Sequence, residues 1–479
     1  MRRISGFLAM ASLLVLPLAV GCGDDEDPAE NGSGATGAST GKGGTGGNTG
    51  KGGNTGEAGE GGAGNTSAGG GDTGGATSDG GVGGMGAVHD PCEGLPNGGV
   101  VPPTGTLESG NCYELDGLTK VITSLTIEPG VRIVGDAEDD ILVIMPGATI
   151  DAEGTEDEPI VFTSGAESPA PGDWGGLLIL GNDVCNDAVT GTLCEIEGLT
   201  DGTTFGNTAA DAVTDDDSGT LAYVRIEYSG VDIDGQGNEI NGLTLGGVGS
   251  GTTIHHVQVA NTLDDCFEWF GGSVNADHLI AWNCGDDMFD TDSGFSGHVQ
   301  FVFGRQVNTI TSDPNGFEMD NDKTTFDKAP ISSPQFSNVT LCGTGEASAA
   351  NPHVGMVLRN GTHGALMNAI VTGFATAAFS VRNTPDTAIT LTNSIAFGNT
   401  AEVDGDHAAA ATWFTDEATN SASAPADFGD CWADPPAPFP AAEIAGGTPA
   451  GHGDESAAFV GAFADADDNW MTGAWVSWN

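Results

Sequence analysis

Carboxylates at regular intervals are the residues of this 479-residue chain whose types and spacing best suit chemistry. Asp264 and Asp265 are followed 22 positions later by Asp286 and Asp287, and Glu268 by Asp290 at the same interval. Glu318 repeats the pattern, and Asp292 and Asp320 stand two positions beyond Asp290 and Glu318. Like charges about 5 Å apart repel by roughly 0.8 kcal/mol in water and by several times that near protein. A dense cluster therefore binds a cation or holds some carboxyls protonated. Oxygen-only ligands suit calcium, which makes Asp264, Asp265, Glu268, Asp286, Asp287, Asp290, Asp292, Glu318 and Asp320 the candidate ligands. The competing reading is a solvated acidic face whose charges splay apart. A catalytic reading also exists, because glycosidases need two carboxylates about 5 to 9 Å apart. Asp264, Asp265, Asp286 and Asp287 are the candidates for that role.

Two weaker signals accompany the cluster. Asp232, Asp234 and Gly237 lie in a segment, Asp232 to Glu239, that begins like a calcium loop but has Leu243 where a late bidentate glutamate belongs. His256, His278 and His298 fall in one repeating pattern, where adjacent imidazoles about 5 Å apart can share a transition metal. Tyr223 before them and Asn338, Asn368 and Asn393 after them occupy the same phase, which favours a plain polar ladder. The acidic runs 153–158 and 465–468 read as solvated loops.

Positioning these groups requires a repeat. One pattern is a corner followed by an alternating strand, as in Cys266-Phe267-Glu268-Trp269, Met288-Phe289-Asp290-Thr291 and Gly316-Phe317-Glu318-Met319. A second pattern, as in His256-Val257-Gln258-Val259 and His278-Leu279-Ile280, alternates with it along the chain. Short alternating strands with a period just above 20 predict stacked coils, each burying its inner face only against its neighbours. Phe267, Phe289 and Phe317 should stack inward, as should Val257, Leu279, Val299 and Val339. Successive strands then run parallel about 4.8 Å apart. The predicted fold is all-β, a right-handed parallel β-helix, preceded by a disordered Gly-rich tether.

The segments Asp173-Trp174-Gly175-Gly176-Leu177, Tyr223-Val224-Arg225-Ile226-Glu227-Tyr228 and Asp264-Asp265-Cys266-Phe267-Glu268-Trp269-Phe270-Gly271-Gly272, with the ending Val460-Gly461-Ala462-Phe463, carry a resemblance. They resemble a family of bacterial surface and secreted lipoproteins with pectin-lyase-like right-handed β-helices, over roughly 131 to the C-terminus. The resemblance implies fold and address and carries no activity with it. Asn261-Thr262-Leu263-Asp264-Asp265-Cys266 is faintly similar to the polygalacturonase pattern, but the Gly-His-Gly and Arg-Ile-Lys segments of that family are missing.

Composition narrows the partners. The chain has 68 acidic and 12 basic residues and a formal charge of -56, so it lacks the basic footprint that nucleic acid requires. Cations, neutral glycans and other proteins remain. Eight cysteines besides Cys22 fall in sequence as Cys92 and Cys112, Cys185 and Cys194, Cys266 and Cys284, and Cys342 and Cys431. Pairing neighbours is the simplest of about 105 connectivities.

The N-terminus supplies an address. Met1-Arg2-Arg3 and an apolar run of roughly 17 residues fit a signal peptide better than a membrane span. Leu18-Ala19-Val20-Gly21-Cys22 resembles a lipobox, so residues 1–21 are expected to be cleaved and Cys22 lipidated. Gly23, rather than Asp, follows, which fits an outer-membrane lipoprotein at the cell surface or periplasmic face, held to the bilayer by its lipid. Residues 22–86 read as a flexible linker, whose Gly-rich stretch from about 31 to 86 spans roughly 40 Å, and residues 87–479 as the β-helix with its caps. No Ser-His-Asp grouping, phosphate loop or nucleotide fingerprint stands out. The sequence leans to a non-catalytic, calcium-stabilised surface protein binding glycan or protein partners, with a glycan hydrolase as the alternative.

Overall fold

The computed structural model describes residues 90–478 apart from 189–192, 200, 234–237, 309–313, 347–352, 406–409 and 452. The expected signal peptide 1–21, Cys22 and the expected linker 22–86 lie outside the described residues, as does the middle of the calcium-like loop.

Alternation along short strands produces a parallel β-helix with two long sheets. A ten-stranded sheet runs in coil order from Leu118–Val121 through Gly176–Leu180, Phe267–Phe270, Phe289–Asp292 and Phe317–Met319 to Val403–Asp404. Its inward residues align as Leu142, Leu177, Leu243, Phe267, Phe289, Phe317, Met356 and Phe379. All are fully buried in one continuous apolar column. The phenylalanine rings stack with centroids 5.2 Å apart for Phe267–Phe289 and 5.0 Å for Phe289–Phe317. The register therefore matches the inward stack read from the sequence.

The second sheet has fifteen strands, including the long Gly219–Glu227, Thr253–Ala260, Asn275–Trp282, His298–Arg305, Gln335–Cys342 and His363–Thr372. Each of these bends at one left-handed non-glycine residue: Tyr223, His256, His278, Phe301, Asn338 or Asn368, with φ between 51° and 57°. That conformation costs an ordinary L-residue roughly 1–2 kcal/mol, and asparagine tolerates it best. Where asparagine is absent, ring stacking offsets the strain: Tyr223–His256, His256–His278 and His278–Phe301 stack at 4.5, 4.3 and 4.7 Å. The bend gives each coil a third face. It also corrects two expectations. Phe301, not His298, follows His278 in the ladder, because Leu279 pairs with Val302. Val299 is buried one stack away, level with Ala276 and Phe336. His298 instead lies at the start of its strand, buried, with its ring bonded to Ser337 Oγ at 3.1 Å.

All four neighbouring cysteine pairs are disulfides. The C-terminal segment then folds back along the bent sheet. Going from 447 to 477, its main chain bonds in turn to the side chains of Asn368, Asn338, Thr340 and Gln258. Phe463, Met471 and Trp475 pack there against Ile280 and Phe303.

Candidate functional site

The side of the ten-stranded sheet that faces away from the core changes character along the helix. One outward row reads Val143, Leu178, Thr244, Glu268, Asp290, Glu318, Val357, Ser380. The apolar part is covered: Ile141, Val143, Leu178, Leu180 and Phe270 pack beneath Cys185, Cys194, Ile196, Phe205, Val231 and Ile240. Those covering residues come from two insertions, one holding the Cys185–Cys194 disulfide and one the Val231–Asp232 and Glu239–Ile240 hairpin. Beyond them the row becomes acidic. Two residues on, Asp292 pairs with Phe270, and Asp320 and Arg359 continue that second row in phase.

A third row forms the preceding corner. The Asp287 N–H donates to Asp265 Oδ1, the Asn315 N–H to Asp287 Oδ1, and the Val354 N–H to Asn315 Oδ1, at 2.8, 2.8 and 3.0 Å. Each side-chain oxygen thus receives an amide from the next coil. The Cys266–Cys284 disulfide ties this corner, since Asp264 and Asp265 precede one half and Asp286 and Asp287 follow the other.

The acidic side chains do not splay into water. Asp264, Asp265, Glu268, Asp286, Asp287, Asp292, Glu318 and Asp320 are all buried. Three overlapping groups place carboxylate oxygens within 4.8 Å of one another: Asp264, Asp265 and Asp286; Asp265, Glu268 and Asp290; and Asp287, Asp290 and Glu318. These clusters can hold a metal ion. Asp292 and Asp320 belong to none of the three. Burial pushes the carboxyls of Asp265, Glu268 and Asp290 well above the ordinary range, and the surrounding carboxylates push the same way. The Asp290 Oδ1 atom is shut from solvent and accepts no hydrogen bond.

Arg359 went unnoticed in the sequence. Its Nη2 pairs with Glu318 Oε1, and its Nε lies 3.2 Å from Asp320 Oδ1. Burial would lower its pKa, but Glu318, Asp320, Asp290 and Asp287 together raise it. The signal was available, because Arg359 follows Gly355-Met356-Val357-Leu358 at the offset that places Asp320 after Gly316-Phe317-Glu318-Met319. Asn241 was also missed; its amide donates to Glu268.

The proposed catalytic set is brought together but enclosed. Asp264, Asp265, Asp286 and Asp287 are only 6, 7, 6 and 3% exposed, and Asp265 and Asp287 each spend an oxygen on the corner ladder. Among the described residues, a cavity of about 310 Å³ is lined by Phe205, Phe270, Glu197, Ser293, Asp322 and Lys328. Lys328 closes one side through ion pairs with Asp187 and Asp322.

On the bent sheet, the side chains of the ladder form a second group. His256 and His278 stack, and His278 Nδ1 bonds to Asp277 Oδ1. The Nδ1 atoms of His255 and His256 are 3.0 Å apart. Burial and the neighbouring His278 and His255 lower the His256 pKa to about 4.

A family model described as a pectate-lyase-like β-helix domain matches residues 99–433. Among solved structures, the chain is similar to pectate lyase Pel9A at 12% identity, over 71% of this chain and 84% of that one, with a TM-score of 0.30. It is also similar to the catalytic domain of a GH87 α-1,3-glucanase in complex with tetrasaccharides, at 11% identity over 69% and 63% of the two chains, with a TM-score of 0.25. No curated protein matches the sequence.

Proposed function

This chain belongs to the family of pectate-lyase-like β-helix domains, and from that premise we propose that it is a non-catalytic cell-envelope lipoprotein whose helix is braced by calcium and binds glycan. One observation carries the reading: three groups of carboxylates, all buried but Asp290, are linked by Asp265 and Asp290 as common members. Calcium takes six to eight oxygens at 2.3–2.6 Å and tolerates irregular geometry, which suits an all-oxygen row better than any nitrogen- or sulfur-seeking metal. Asp290 Oδ1, buried with no hydrogen bond, is a ligand atom otherwise left with an uncompensated cost. Bound calcium would neutralise the row where Arg359 does not reach and fix the register of the coils carrying Phe267, Phe289 and Phe317.

Glycan binding is assigned to the cavity beside the row, where exposed Leu193 offers apolar surface and Thr324, Asp322 and Lys328 offer polar groups around the buried Phe205 and Phe270. The lipid on Cys22 and the linker 22–86 would display this surface at the outer membrane. Enclosure of the four candidate catalytic carboxylates favours binding over hydrolysis. Calcium is expected to raise the melting temperature and chelator to lower it, and an indifferent melting curve refutes the calcium brace. A panel of neutral and acidic polysaccharides is expected to show retention on at least one glycan without bond cleavage. Release of reducing ends or unsaturated sugars from any of them would make the chain an enzyme.

A further inference from the structure

We infer that His256, Asp277 and His278, on the bent sheet away from the carboxylate row, form a binding site for one transition-metal ion of the copper or zinc class. Their ligand atoms lie within 4.8 Å of one another, and all three residues are half-buried. A tetrahedral ion with bonds of about 2.0–2.1 Å holds its ligands roughly 3.3 Å apart, so the three groups must close by about 1.5 Å at most. The stacked imidazole planes lie only 14° apart, so bringing both in-plane lone pairs onto one ion requires one ring to tilt out of the stack. His255 sits beside the group, with its Nδ1 3.0 Å from that of His256.

Room and access lie on the His278 side. A cavity of about 550 Å³ opens there, lined by His278, Phe301 and Trp470 and rimmed by Asp465, Asp467 and Asp468. The rim carboxylates would raise the local concentration of cations. Tyr223 stacks on His256, Trp475 meets it edge-on at 5.3 Å, and Trp470 meets His278 edge-on at 5.0 Å. This aromatic wall supplies a tryptophan reporter beside the rings. Imidazole with one carboxylate selects copper or zinc over calcium, so the site is chemically distinct from the acidic row.

The test is a copper(II) titration of the full chain, followed by tryptophan fluorescence and electron paramagnetic resonance. Saturable quenching at one equivalent is expected, with splitting from at least two nitrogens and no reversal by excess calcium. His278→Gln and His256→Gln should each weaken the saturable step at least tenfold. Asp277→Asn, a partly exposed position chosen to leave the ladder intact, should weaken it several-fold even where the histidine variants misfold. Asp290→Asn in the carboxylate row should leave it unchanged. Absence of quenching, an oxygen-only signal, or equal affinity in wild type and Asp277→Asn would overturn the inference.

Discussion

Phe289→Ala is expected to lower the unfolding free energy by about 3–5 kcal/mol, the range for a truncated core phenylalanine. The upper half of that range applies here. The Phe289 ring is fully buried between Phe267 and Phe317, and the flanking strands cannot close the gap because hydrogen bonding holds them about 4.8 Å apart. The cavity therefore persists, and unrelieved cavities carry the larger cost. Urea denaturation followed by circular dichroism measures it, with Phe289→Leu as the milder companion. A loss below about 1 kcal/mol would mean that the coils repack and that the column is not continuous.

Arg359→Met should cost a similar amount, about 3–5 kcal/mol, for a different reason. Removing one partner of a buried pair leaves the other charge uncompensated, and here two carboxylates, Glu318 and Asp320, lose the same guanidinium. The methionine keeps most of the apolar volume, so packing changes little. The loss should be greatest in chelator and partly restored by calcium, since a cation near Glu318 supplies charge the arginine no longer provides. Thermal melts of both proteins with and without calcium read this directly. A variant as stable as wild type in chelator would show that the pair contributes nothing.

The interval of 22 positions made the core column and the acidic row legible, because a fixed coil length returns the same residue type to the same face. It failed where loops change that length. The step from His278 to the next ladder position is 23 residues, whereas His298 stands only 20 beyond His278, so Phe301 takes that place. Burial of the row was not legible either. Alternation says only that Glu268, Asp290 and Glu318 point away from Phe267, Phe289 and Phe317. What covers the neighbouring part of that face is a pair of insertions tens of residues earlier in the chain, held by the Cys185–Cys194 disulfide, and such long-range covering leaves no local pattern. The disulfides were legible because each lies between neighbours in sequence.

Proton linkage separates the braced and unbraced states. Burial and mutual repulsion raise the folded-state pKa of Asp265, Glu268 and Asp290 above their unfolded values. In the cation-free protein these groups favour the fold while protonated, below the ordinary carboxyl range near 4, and that contribution is lost as pH climbs through the raised values. Calcium reverses the trend, because it binds the ionised carboxylates and releases their protons.

The most direct test is calorimetric titration of calcium into chelator-stripped protein, run in buffers of different ionisation enthalpy so that proton release is measured with binding. Saturable binding with proton release is predicted, at least tenfold weaker in Asp290→Asn and weaker as pH falls. No saturable heat, or equal affinity in wild type and Asp290→Asn, would contradict a calcium-braced carboxylate row.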